Sequence, residues 1–572
     1  MASVVLFVFC SSLMMPFIPD DAFVSFRYAE NLIEGRGLAF NEDGKPIEGY
    51  SNFLWVLVCA LVFKLGFELP AAMPWVGILF GVLSVVVLAE FYRRRGIAAS
   101  SVFLPLFIFA TAAPFVIHSI ASMEVPLFAL LLLMLLLTTD VVNSNNRMAP
   151  YIALAAIGAL LALCRPEGLI AFPVIVVADI VLSRKRGRAA RDASTRVPLL
   201  AAVVIFVLAV TAYHVWRVSY FGAAIPPSFA ARLGGGEIIY HAWFENLRMY
   251  FISQGSDHLP SGYFITLLVI CAIVGASMSK SEANQRRTEH TALWLFGVFA
   301  LIYFNFVDRM PGMRYHAPLL GLLFVPGVYL QSRAMAALAL TKTTVGRVKL
   351  VSTVLVVLAV SFSWLAFLKM GITRAETGNQ KSSVALAEWL VKALPAGARL
   401  AVNESGIIPY HTGFHTVDIA PIPVTGTHPG KGWWNDWFFE SKDAKPDVVV
   451  ITGRGIFYAT MDPDHYDLAT SSRFNEIYRL LGVVRYNWFE DQSYWVYIPH
   501  NLPPFTKELL DEFPVGIGSV KRLYRESNVC IESRAHRGSS QSDAQNRYII
   551  PGVVWPAKLA ARLNERITDL FA

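Results

Sequence analysis

Two adjacent carboxylates, Asp20 and Asp21, stand where an apolar run from Val4 to Ile18 gives way to polar sequence. Carboxylates at the edge of hydrocarbon are costly unless they face water or do chemistry. Such a pair suits a base and a charge stabiliser working side by side. The bland reading is a solvated boundary marker, the commoner fate of an Asp pair. Further charged residues sit at the ends of other apolar runs: Glu124 with His118, Arg165-Pro166-Glu167-Gly168, and Asp308 through Tyr315 with Arg309 and Arg314. Arginine offers forked donors that match phosphate oxygens, although any one of these alone reads as a side chain snorkelling to an interface. No GxxxxGK[ST] is present and no GxGxxG follows a strand, so a nucleotide loop is not indicated. Any activated group has to come from elsewhere.

The elements that position these residues are helices in a membrane. Of 572 residues, 55% are hydrophobic and 16% charged, and the mean hydropathy is +0.48. A soluble chain carries about 25% charged residues. The net charge of +7 needs no nucleic acid, because basic residues retained on cytoplasmic loops account for it. Four of the five cysteines (Cys10, Cys59, Cys164, Cys271) lie in apolar segments and Cys530 stands alone, so neither a disulfide framework nor a zinc site is suggested. The first run lacks a basic leader and a small-residue cleavage site and reads as a retained helix. Further candidate spans are 72–91, 101–117, 123–139, 150–164, 168–183, 197–217, 262–278, 290–307, 315–331 and 350–369, giving about 11 transmembrane helices.

Basic clusters orient them. Arg93–Arg95, Arg184–Arg191, Arg286-Arg287 and Lys342–Lys349 are expected on the cytoplasmic side, and an even number of spans separates each from the next. That count puts Asp20-Asp21, Glu124, Arg165, residues 218–261 and Arg314 together on the outer face. Phe53 to Phe63 is then a surplus apolar stretch, too short to cross, and reads as a juxtamembrane or re-entrant helix in an external loop, 19–71. From about residue 372 the composition changes to Asp, Gly, Pro and aromatics. An amphipathic helix over 382–394 and strand-like runs at 399–403, 447–452 and 494–498 predict a small external α/β domain, 372–572, after a membrane domain, 1–371. Residues 411–440 read as a loop carrying His411, His415, His428, Trp433, Trp434 and Trp437. The histidines lack ligand spacing, so no metal is expected. The aromatics either cap the domain core or stack on sugar rings.

Asp20–Leu32, continued by Glu34–Asn41 and Glu48-Gly49-Tyr50-Ser51-Asn52-Phe53-Leu54-Trp55, resembles the GT-C superfamily of polyprenyl-phosphate-dependent glycosyltransferases. Within it, the stretch is most similar to arabinofuranosyltransferases that use decaprenyl-phosphoarabinose. Ser122–Phe128, Arg165–Leu169, Arg217–Arg232, Met310–Tyr315 and Glu404–His411 continue the match in family order. Ala223, Pro226-Pro227-Ser228, Arg232 and Asp418–Pro421 depart from the family pattern, which bears on acceptor and sugar and leaves the donor chemistry untouched.

The resemblance implies transfer of a sugar, arabinofuranose by the closest match, from a polyprenyl-phosphate donor to a glycan hydroxyl outside a bacterial cytoplasmic membrane. Asp20 and Asp21 are then catalytic, with Asp20 favoured as base. Arg27, Arg165, Arg232 and Arg314 are expected at the donor phosphate, Tyr28, Glu124 and Tyr315 at the sugar, and His411, Trp433 and Trp434 at the acceptor. No cofactor is expected. Mannosyl or aminoarabinosyl transfer is the alternative within the class. A lipid-sugar transporter is the alternative outside it, and would leave the external domain and the acidic first loop unexplained, with no repeat between the halves.

Overall fold

The computed structural model describes the chain except residues 16, 44–45, 98, 145–146, 185–192, 224–242, 245, 248–257, 279–282, 306–312, 327–363, 366–379, 420–436, 441–444, 454–462, 485–492, 504 and 515–572. It divides into two compact units, Met1–Thr377 with Ile422–Gly426, and Gly378–Pro421 with Thr427–Ala572.

The first unit is helical: α1 Ala2–Met14, α2 Asp20–Ile33, α3 Phe53–Lys64, α4 Leu69–Arg94, α5 Ala99–Ala110, α6 Ala113–Ile120, α7 Val125–Ser144, α8 Met148–Cys164, α9 Ala171–Arg184, α10 Ala193–Phe221, α11 His258–Met278 and α12 Ala283–Tyr303. Among the described residues three helices, Leu69–Arg94, Val125–Asn143 and Arg196–Phe221, are long and apolar enough to cross a membrane. A fourth span forms if α5 and α6, bent by 51°, are taken as one. The sequence treats 101–117 as one span. Pro114, at the start of α6, has no N–H to continue the ladder, and the helix breaks at Thr111-Ala112. The first apolar run also shortens: α1 ends at Met14, and with Ala2–Met14 reaching only about 20 Å it falls short of the roughly 30 Å hydrocarbon core. The span expected at 350–369 lies outside the described residues apart from 364–365, and the one at 315–331 is described as far as Pro326.

α2 begins straight after Pro19, and Asp20 and Asp21 occupy its first turn, where the helix dipole favours negative charge. It buries Phe23, Phe26, Tyr28 and Ala29 and packs on α3, which at 12 residues is too short to span, as the charge count required. α7 is central, with 78% of its apolar window buried, and packs against α4, α8 and α12. α10 is peripheral, with 11% buried. α4 and α6 touch backbone to backbone: a Cβ on Gly77 would stand 2.0 Å from the Ser119 carbonyl oxygen, so only glycine fits.

The second unit is α/β. Residues 380–393 are helical, and five strands, β1 Arg399–Val402, β2 His415–Asp418, β3 Val448–Gly453, β4 Tyr478–Val484 and β5 Ser493–Pro499, form one sheet in the order β2-β1-β3-β5-β4. β1 is parallel to β2 and β3, whereas β5 is antiparallel to β3 and β4. Leu400, Val402, Val448 and Val450 face one core with Leu386 and Leu390, while Ala401, Val449, Ile451 and Trp495 face another with Phe474. Both faces are covered, which is why these strands are continuously apolar. β2 and β4 were not apparent in the sequence. His415-Thr416-Val417-Asp418 carries no apolar run and is made a strand by its parallel pairing with β1.

Candidate active site

Five charged side chains from four segments of the first unit meet. Arg314 donates from Nη1 to Asp21 Oδ2 at 2.7 Å, and its Nη2 lies 3.8 Å from Glu124 Oε1. Arg165 Nη1 lies 3.4 Å from the same Glu124 oxygen, and its Nε donates to Glu167 Oε1 at 2.6 Å. Tyr303, at the end of α12, also donates to Glu167 Oε1, at 3.0 Å. The Arg165 guanidinium lies over the rings of Tyr315, Phe128 and Tyr303 at 5.5 to 5.7 Å, a cage of negative π-faces that favours a cation. Asn52 Nδ2 donates to Glu124 Oε2 at 2.9 Å.

Burial works against the charge on Glu124, yet Arg165, Arg314 and the Asn52 bond outweigh it and hold the carboxyl below the ordinary range. Burial likewise works against the charge on the two arginines. Glu167 and Glu124 around Arg165, and Glu124 and Asp21 around Arg314, hold both above the usual value, so both stay cationic. Asp21 is the member that reaches solvent: its side chain is 52% exposed against 4% for Glu124.

The backbone is bent to bring these groups together. Arg165 is the last residue before Pro166, whose ring forces the extended conformation that ends α8, and a 3-10 turn over Pro166–Ile170 then carries Glu167. Gly168 is required in that turn, since a Cβ there would stand 2.0 Å from the Leu161 carbonyl oxygen. Among the described residues only two non-glycines have left-handed backbone, Ser122 with φ 55° and Met313 with φ 57°. One precedes Glu124 by two residues and the other adjoins Arg314. Strain of this kind costs on the order of 1–3 kcal/mol and persists where the surroundings fix it. Here Trp55 Nε1 donates to the Ser122 carbonyl at 3.0 Å, and the Met313 carbonyl accepts from the His316 and Ala317 amides.

Of the residues expected at a site, Asp21, Glu124, Arg165, Arg314 and Tyr315 come together, with Asp20 beside Asp21 on the first turn of α2. Two expectations are corrected. Arg27 is buried against the first loop, donating from Nε to the Phe40 carbonyl at 2.7 Å with its guanidinium 4.6 Å from the Phe40 ring, so it folds the loop and is not presented to a phosphate. Burial holds its pKa down to about 10, with Glu42 opposing. Tyr28 is fully buried, donating to the Ile47 carbonyl at 2.6 Å and accepting from the Gly49 amide at 2.9 Å, so its hydroxyl binds the first loop. Glu124, expected at a sugar hydroxyl, has both oxygens engaged and serves as counter-charge to two arginines. Arg232, Trp433 and Trp434 lie outside the described residues. His411 is exposed on the helix Ile407–Thr412 of the second unit.

Sequence reasoning missed Asn52, Tyr303 and the buried pair Glu48–Arg217, joined at 2.8 Å through Arg217 Nε. Asn52 and Glu48 stand inside the first-loop motif, where no spacing marks either of them. Nothing near Tyr303 in the chain marks it.

Comparison with known proteins gives the architecture a type. ArnT from Cupriavidus metallidurans, solved with undecaprenyl phosphate bound, aligns with 86% of this chain and 97% of its own at 14% identity and a TM-score of 0.51. AglB from Archaeoglobus fulgidus, an archaeal oligosaccharyltransferase solved with an inhibitory peptide and a dolichol-phosphate, aligns with 78% of this chain and 69% of its own at 13% identity and a TM-score of 0.51. The fold is of the GT-C type. At these identities the likeness speaks for the fold alone. The mycobacterial arabinofuranosyltransferase AftD aligns with 87% of this chain and 41% of its own at 16% identity, and its TM-score of 0.46 carries no argument. A family model described as a domain of unknown function (DUF8728) matches residues 371–497, and no curated protein sequence matches the chain. A multi-pass helical unit of GT-C type is thus followed by a small α/β unit.

Proposed function

We propose that this protein is a membrane glycosyltransferase that moves a sugar, arabinofuranose on the first-loop resemblance, from a polyprenyl phosphate to a hydroxyl of a cell-envelope glycan. The observation that carries this is the convergence of Arg165 and Arg314 on one carboxylate, with Arg314 also holding the half-exposed Asp21 of the first-loop helix. Two arginines a few ångströms apart suit a phosphate that gains charge as its bond to the sugar breaks. ArnT and AglB were solved with lipid phosphates bound, in keeping with such a donor.

In this reading the donor phosphate takes the place of Asp21 on Arg314. Asp21 is the exchangeable partner because it alone of the cluster is half exposed. The acceptor hydroxyl attacks the anomeric carbon, the bond from that carbon to the phosphate oxygen breaks, and polyprenyl phosphate leaves. Asp20 takes the hydroxyl proton, and the displaced Asp21 faces the positive charge developing on the sugar. Tyr315 lines the sugar side, and Arg232, His411, Trp433 and Trp434 are assigned to donor and acceptor binding on sequence grounds. The active site and second unit face the outside of the cytoplasmic membrane, following the distribution of basic clusters.

Purified protein, decaprenyl-phosphoarabinose and an arabinan oligosaccharide test this. Wild type is expected to form a glycoside, and Asp20→Asn and Asp21→Asn to lose it while still binding donor. Full activity in both variants overturns the catalytic assignment. Lipid movement across a vesicle membrane without product favours the transporter instead.

A further inference from the structure

Asn52 closes a circuit through the site. Contacts run from Asp21 to Arg314 at 2.7 Å, from Arg314 to Glu124 at 3.8 Å and from Glu124 to Asn52 at 2.9 Å. The last link is from Asn52 to the Ser25 hydroxyl, 3.2 Å from Nδ2 and 3.4 Å from Oδ1. Ser25 lies on α2 four residues after Asp21, about one turn along the same face. The circuit therefore returns to the helix it left.

An amide meets both demands of this position. Its nitrogen donates to Glu124 Oε2 while its oxygen accepts the Ser25 hydroxyl; turned over, the oxygen would oppose a buried carboxylate. Asn52 is itself buried, and its backbone carbonyl accepts from the Trp55 and Val56 amides at the start of α3, so the side chain is held on a fixed base. Glu124 turns its remaining oxygen to both guanidinium groups. The other titratable groups around Glu124 are Cys164 at the end of α8, Tyr315 beside Arg314, Cys59 on α3, and Glu167 and Tyr303 beyond Arg165.

We infer that Asn52 is a positioning residue: it fixes the Glu124 carboxylate against Arg165 and Arg314 and ties it to α2, so that the arginine pair and the Asp20-Asp21 turn keep one spacing. This rests on the reading that the two arginines hold the donor phosphate.

Binding of undecaprenyl phosphate to the purified full chain, measured against pH, tests it without knowledge of the sugar or acceptor. Asn52→Asp is expected to bind about 10- to 100-fold more weakly at neutral and alkaline pH. It recovers as pH falls, once the introduced carboxyl and Glu124 share a proton that restores the lost donor. Asn52→Ala, with no proton to regain, is expected to stay weak throughout. If both variants bind as wild type does while Arg165→Ala and Arg314→Ala do not, Asn52 has no such role and the phosphate site stands. Wild-type binding by both arginine variants removes the phosphate site and this inference with it. Should Asn52→Asp fail to fold, Asn52→Ala in a Glu124→Gln background decides: losses that do not add place Asn52 upstream of Glu124, and full additivity refutes the inference.

Discussion

Among the described residues of the first unit, a buried ionic cluster lies at each end of α7. Glu124 precedes the helix and belongs to the cluster with Arg165, Arg314 and Asp21. Asp140 lies 16 residues on, about 24 Å along the axis. It belongs to a second cluster in which Arg95 is 3.6 Å from Asp140 and 3.7 Å from Glu289, Thr288 donates to Asp140 at 3.0 Å, and Arg287 pairs with Asp179. α9 and α12 show the same polarity, with Glu167 and Tyr303 at one end and Asp179 and Arg287 at the other. The clusters differ in exposure, in the bonding of the central arginine and in the adjoining backbone. Every charged side chain in the Arg95 cluster is at most 13% exposed, and no Arg95 guanidinium nitrogen has a hydrogen-bond partner among the described residues. The Arg165 cluster has bonds of 2.6 to 3.0 Å, adjoining left-handed backbone and a half-exposed carboxylate. Buried charge alone therefore does not mark a site. What sets the Arg165 cluster apart is the left-handed backbone beside it and one half-exposed member.

The sharpest way to break this contrast is to remove an arginine from each end. Arg165→Ala and Arg314→Ala are expected to lower transfer from decaprenyl-phosphoarabinose by about 10²–10³-fold, the scale for losing a donor aimed at developing charge. Arg95→Ala is expected to act on stability, leaving the transfer rate per folded molecule within about threefold of wild type, since it touches no reacting group. Comparable loss of rate in all three erases the distinction. Next in size is Glu124→Gln. It leaves two buried guanidinium groups short of a counter-charge, a change worth about 3–5 kcal/mol, read as a fall in thermal unfolding temperature in detergent.

The same variant sharpens the pH behaviour. The Glu124 pKa is depressed in the fold, so its contribution to stability is present above the ordinary carboxylate pKa and is lost as pH falls through the lower folded value. Wild type is therefore expected to lose unfolding temperature below the ordinary carboxylate range more steeply than Glu124→Gln. Parallel curves would show that other groups govern acid stability. A smaller effect is expected at Ser122→Gly, which relieves the left-handed strain at φ 55° and should raise stability by about 1 kcal/mol while lowering transfer as the Glu124 turn loosens. Least of all, dialysis against EDTA is expected to leave transfer within about twofold, because in this proposal the arginines supply the positive charge that a metal otherwise would.

Much of the site was legible because a membrane makes charge conspicuous. Asp20-Asp21, Glu124, Arg165 and Arg314 stand out as costly residues at the ends of apolar runs, and the count of spans between basic clusters groups them on one face. The resemblance put Arg27 and Tyr28 at the donor as well. Both lie on α2 with Asp20, but their hydrogen bonds to Phe40, Ile47 and Gly49 face them into the first loop. Asn52 and Tyr303 were silent because an uncharged polar residue in a motif and a Tyr at a helix end are unremarkable in sequence.

By itself the sequence determined the class of molecule: a membrane chain of apolar runs, a too-short helix at 53–63, and a change to α/β sequence after the helical part. These follow from transfer energies and periodicity, which are local properties of the chain. Tertiary structure alone decided which charges share a partner. Glu124 meets Arg165 and Arg314 because Pro166 ends α8, Ser122 and Met313 turn left-handed, and Asn52 ties α3 to α2. Contacts between residues up to 293 positions apart depend on how helices pack, and no local pattern encodes them.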